Sequence, residues 1–172
     1  MKKQILLSIL TCLTAFGFAQ DKIVKLSGEI ITCTIIESSE VSVRFSYEGE
    51  TLTNSISTNI IKEVVLSSGR IIDYNEKVII HGEEDWEKVK ITSLESDVFG
   101  LTSGEEMMAK ASSGWSTTNQ GKMQKKAMNK LKKQAASKGY HMVLLLTTTG
   151  KGGHYGLSGG SKSSVTGTGY KY

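Results

Sequence analysis

Three histidines, His81, His141 and His154, are the residues of this chain best suited to metal or proton chemistry, and no two of them lie close in sequence. His81 with Glu84 and Asp85 puts three potential ligands in one loop, and His154 stands in a glycine-rich loop. Together they allow a periplasmic metal-binding protein or small hydrolase as an alternative reading. The plain reading of the first group is an acidic interdomain loop. No Cys-x-x-Cys is present to close a tetrahedral site, so no metal or cofactor is expected. Nucleophilic catalysis lacks a frame, because Gly156-Leu157-Ser158-Gly159 is one residue short of Gly-x-Ser-x-Gly. A phosphate-cradling loop at Gly150-Lys151 fails twice: Leu145 stands where a glycine is needed, and Gly152 replaces the Ser or Thr after the lysine. The pairs Glu83-Glu84 and Glu105-Glu106 fall in expected loops or exposed turns, with no apolar pocket to move a pKa. The chain reads as non-enzymatic.

Lysine spacing is more informative. At about 100° per residue, Met123, Ala127, Met128, Leu131 and Ala135 fill one arc of a helix expected over residues 122–138. Lys125, Lys126, Lys132 and Lys133 fill the opposite arc, with Lys122 beside them. Like charges at this spacing repel, so a partner would offset a real cost. The candidate site is therefore Lys122, Lys125, Lys126, Lys132 and Lys133, facing an anionic surface such as lipid headgroups, lipopolysaccharide or an acidic protein unit. The alternative is a solvated face. Nucleic acid is not expected, since no aromatic residues interleave the lysines.

The elements that would carry these residues come in two groups. Residues 81–172 are expected to form an α+β unit. Strands are expected at 86–91 and 97–101, periodicity does not decide 105–110, and 112–121 is a loop. The helix ends on Gly139, a left-handed cap, with Tyr140 able to fold back over the last turn. The apolar run Met142 to Leu146 predicts a central strand over 141–149, covered on both faces. A loop rich in glycine spans 150–160, and 163–172 reads as a C-terminal edge strand. This order gives an antiparallel sheet with one amphipathic helix on one face.

Residues 21–80 carry short β patterns between turn residues. Ile31, Cys33 and Ile35 share one face of a strand over 29–37, and Val41, Val43, Phe45 and Tyr47 share a face over 40–47. Ser27-Gly28, Glu48-Gly49 and Ser67-Ser68-Gly69 supply turns, and Asn59 is placed to cap a helical turn through Ile60 and Ile61. So many short strands must curl to bury a face. The pattern resembles SH3-like and Sm-like small β-barrels and the amino-terminal module of uncharacterised secreted bacterial proteins. The run from Lys130 to Tyr140, containing Ala135-Ala136 and Gly139 before a buried strand, is similar to a segment of small bacterial envelope proteins. Cys33 reads as a small core residue.

The compartment is read from residues 1–20. Lys2 and Lys3 precede an apolar run from Ile5 to Phe18, and Gly17 and Ala19 are small residues placed for cleavage. This predicts a cleavable signal peptide, cut after Ala19 or Gln20, and a secreted or periplasmic protein. Its end resembles leaders of Bacteroidota-type bacteria. Acylation at Cys12 would make a lipoprotein instead, but Thr11 is not the small residue expected beside it. The run, 14 positions including Ser8, Thr11 and Thr14, is short against the roughly 20 that span a bilayer. No transmembrane segment is expected in the mature chain.

The 172 residues carry 21 Lys and Arg against 17 Asp and Glu. Without Lys2 and Lys3 the balance is 19 against 17, and it is uneven: residues 21–80 hold six basic against nine acidic, residues 81–172 thirteen against eight. This asymmetry predicts two units. Loss of Cys12 leaves Cys33 alone and excludes an internal disulfide.

Overall fold

The computed structural model describes residues 20–113, 120–151 and 160–172. The leader with Cys12, part of the expected 112–121 loop, and most of the glycine-rich loop with His154 lie outside the described residues. The fold is α+β, with ten strands in two sheets and one long helix among the described residues. Two compact units meet in the chain between Tyr74 and Asn75.

In the first unit, β1 (Asp21–Lys25), β2 (Ile30–Ser38), β3 (Ser42–Ser46) and β4 (Asn54–Ser57) lead through a 3-10 turn (Thr58–Ile60) to β5 (Ile61–Val65) and β6 (Ile71–Asp73). All pairs are antiparallel, in the order β4-β3-β2-β1-β5-β6. Ile23, Ile31, Cys33, Val43, Phe45, Ile61 and Val64 are buried together. Among the described residues of this unit no helix is long enough to cover that face, so the sheet curls over it. Register shifts at Val24/Lys25 and Ile35/Glu37 bend the strands. The expected SH3-like barrel is corrected here: the ladder does not close. Strand β6 occupies the outer edge of β5, which leaves that edge no place for β4. The cap is also corrected. Ser57, not Asn59, caps the 3-10 turn, its side chain accepting from the Asn59 N–H at 3.3 Å. The expected face over 40–47 is buried only in its middle, since Val41 and Tyr47 lie at exposed strand ends.

The second unit contains β7 (Lys90–Thr92), β8 (Thr102–Ser112), α1 (Gln120–Ser137), β9 (Met142–Lys151) and β10 (Lys162–Lys171). Its sheet runs β7-β9-β10-β8, antiparallel except for the β7–β9 pair. Helix α1 is made almost wholly of strong helix formers. Its stripe of Met123, Ala127, Leu131, Ala135 and Ala136 packs on Met107, Ala109, Ala111, Val143 and Val165. Gly139 at φ 72° ends it in a Schellman motif: the Tyr140 N–H donates to Ala135 O and the Gly139 N–H to Ala136 O, both at 2.9 Å.

Four expectations change in this unit. Residues Glu83–Lys88 and Glu95–Val98 are 3-10 turns where strands were expected, leaving only Lys90–Thr92 as a strand. Asp85 explains the first, because its carboxylate accepts from the His81 N–H four residues back and so closes a turn. Strand β10 is interior, not an edge. Its glycines admit neighbours: a Cβ at Gly169 would lie 2.3 Å from the Tyr140 ring, and one at Gly167 2.7 Å from Leu144 O. Strand β9 is covered on both faces only at Val143 and Leu144, and Leu146 is exposed.

Candidate anion-binding site

Helix α1 sorts its lysines into two sets. Towards its C-terminal half, Lys133 pairs with Glu83 at 3.2 Å and Lys132 Nζ makes a long contact of 3.5 Å to Glu87 O, both in the 3-10 turn that packs against α1. Lys130 Nζ donates to Lys110 O at 3.1 Å, and beyond the helix Lys138 pairs with Glu105. That ion pair holds the Lys138 ammonium above the usual lysine range, mainly through the side-chain hydrogen bond to Glu105. In the N-terminal half, Lys122, Lys125 and Lys126 are exposed and have no partner among the described residues. No acidic residue stands in the first turn of α1, so that turn itself does not offset the partial positive charge of the helix end. Of the five lysines the sequence singles out, three remain available and two are tied to the 3-10 turn.

A second set of lysines was not found from the sequence. Along β10, burial alternates: Ser163, Val165, Gly167 and Gly169 face α1, while Lys162, Ser164, Thr166 and Thr168 face away. The same alternation on β8 buries Ala109 and Ala111 and turns Lys110 and Ser112 outward. The ladder register places Ser112, Lys162 and Lys151 in one cross-strand row, and Lys110, Ser164 and Thr149 in the next. These six side chains, together with Ala111, Gly150 and Ser163 of the α1-facing set, line a cavity of about 530 Å³ at this end of the sheet, with no carboxylate among the described lining residues. Gly150, in the first row's neighbourhood on the opposite face, lies under the Gln120 side chain at the start of α1. Strand alternation was visible in the sequence at Lys110-x-Ser112 and Lys162-x-Ser164. The register that joins them is a long-range property and was not.

Of the histidine groups, His81 and His141 lie among the described residues and His154 does not. Asp85 is taken by Lys88 at 2.6 Å and by the His81 N–H at 2.9 Å, and these bonds hold its carboxyl below the usual range, the Lys88 contact first. Among the described residues, no three of His, Cys, Asp and Glu lie close enough to hold a metal ion. His141 stacks on Tyr172 with ring centroids 4.3 Å apart. Burial, followed by the charges of Lys77 and Lys171, lowers its pKa.

In the first unit Asp21 anchors β1. Its carboxylate accepts from the Ile35 N–H at 2.9 Å and the Ser67 N–H at 2.6 Å. Burial pushes this carboxyl up, but the backbone donors together outweigh it, and the net shift is downward. Burial first, then the Asp21 charge, pushes the Cys33 thiol up to about 11, so it is a poor nucleophile. No helix among the described residues is long and apolar enough to cross a membrane. No protein-family model, curated protein or solved structure matches this chain.

Proposed function

We propose that this is an exported, non-enzymatic binding protein of the bacterial envelope whose second unit engages an anionic surface. The observation that carries the reading is the division of charge along α1. Lys132 and Lys133 contact the acidic 3-10 turn, whereas Lys122, Lys125 and Lys126 are exposed and have no carboxylate partner among the described residues. Unpaired like charges on one helical half repel one another, and an anionic partner removes that cost. Export rests on the cationic start, apolar run and small residues of positions 1–20.

The test is co-sedimentation of the purified protein with vesicles of phosphatidylcholine and phosphatidylglycerol. Binding should be present at low salt and fall steeply as salt rises, since exposed charges are screened over about 8 Å at physiological ionic strength. Absence of binding at low salt would show the face to be merely solvated. For export, protein recovered from the envelope or medium should begin at Gln20 or Asp21; a Met1 terminus would contradict it.

A further inference from the structure

We propose that the outer face of β8, β9 and β10 is a separate binding site for a phosphate ester carried on a polyhydroxylated, saccharide-like group. The lysines here belong to rigid strands rather than to the helix. Lys162 stands opposite both Ser112 and Lys151, and Ser164 stands opposite both Lys110 and Thr149. Neighbouring strands are about 4.8 Å apart and alternate residues on one strand about 6.8 Å. Three ammonium groups therefore surround a small area with three hydroxyls set between them.

Like charges directly opposite across a ladder destabilise it. The pair Lys151–Lys162 is such an arrangement, and neither residue has an anionic partner among the described residues. A bound anion would turn this repulsion into attraction. Ligand class follows from the groups present. Arginine, whose planar fork pairs with carboxylate and phosphate alike, is absent from the described lining, so anion recognition here is by point charge. Lysines act as point charges and suit the tetrahedral phosphate group. Ser112, Thr149 and Ser164 offer hydroxyls that both donate and accept, as does the next row, where Thr147 and Thr166 are paired. That surface matches the hydroxyls of a sugar. The volume, about 530 Å³, lies in the range of small-molecule sites. The ester is either a free sugar phosphate or the headgroup of a lipid; both present anionic phosphate oxygens to the grid.

The site stands apart from the α1 surface, and the experiment separates them. Calorimetric titration of the purified protein with glucose 6-phosphate at low salt should show binding, and glucose alone should show none. Lys151→Gln with Lys162→Gln should weaken glucose 6-phosphate by about tenfold or more, with an unfolding temperature no lower than that of the wild type. Lys125→Gln with Lys126→Gln should leave it unchanged. If only vesicles containing phosphatidylinositol bind, and the Lys151/Lys162 variant abolishes that binding, the phosphate ester belongs to a lipid headgroup and the site stands. No affinity for glucose 6-phosphate or for phosphatidylinositol vesicles would overturn the proposal. So would affinities that Lys151→Gln/Lys162→Gln does not change.

Discussion

Lys151 and Lys162 stand directly opposite one another across the β9–β10 ladder, on the face turned away from α1. A pair of like charges at this position weakens the sheet it belongs to, so it should be improvable. Lys151→Glu should raise stability by about 0.2–1 kcal/mol, read from denaturant unfolding at low salt. The same variant should lose affinity for phosphate. Gain of stability with loss of binding is the signature of residues kept for a ligand rather than for the fold.

Tyr140 is held between two glycines. Added Cβ atoms at Gly104 and Gly169 would each lie 2.3 Å from its ring, and its hydroxyl accepts from the Glu105 N–H at 3.0 Å. The ring cannot move to admit a methyl group. Gly169→Ala should therefore cost about 1–3 kcal/mol by overpacking. In a Tyr140→Leu background the added cost should shrink markedly, a coupling that a double-mutant cycle measures.

These glycines also show why part of the fold was legible and part was not. Ile31 and Cys33 on β2, and Met123, Ala127, Leu131 and Ala135 on α1, follow from period-two and helical spacing and are buried as that spacing implies. Met128 of the expected stripe is only partly buried, and Ala136, outside it, is buried. The segment 163–172, rich in Gly, Ser and Thr, has the composition of an edge strand. Its interior position depends on Tyr140 and Val143, distant in sequence, filling the space above Gly169 and Gly167. The 3-10 turn at Glu83–Lys88 was hidden for a similar reason, since Trp86 and Val89 give the apolar signal of a strand while Asp85 closes a turn. Half of the charged surface was visible as a helical face. The other half needed the β8–β10–β9 register.

Asp21 ties β1 to β2 and to the turn between β5 and β6. Its pKa is lowered in the folded state, so it stabilises the fold above the unfolded value of about 3.9. That contribution is lost as pH falls through the folded value. Asp21→Asn should cost about 1–2 kcal/mol at neutral pH through weaker acceptance from two backbone donors. The difference from wild type, followed by circular dichroism, should close as pH falls through the lowered folded value.

Cys33 is 2 % exposed between Ile31 and Ile35 on the inner face of β2, with its thiol pushed up to about 11. A thiol reagent at pH 8 should label the folded protein slowly and the denatured protein at the rate of a free cysteine. Rapid labelling of the folded form would mean that β2 opens or that its register differs.

The division of lysines along α1 is the claim on which the functional account rests, and two variants that remove the same charge test it. Lys125→Gln/Lys126→Gln should lose most of the affinity for anionic vesicles at low salt while unfolding at a temperature no lower than that of the wild type. Lys132→Gln/Lys133→Gln should keep most of that affinity and lose up to about 1 kcal/mol of stability, as expected for exposed ion pairs. Equal loss of vesicle binding in both variants, or loss in the second alone, would contradict the account.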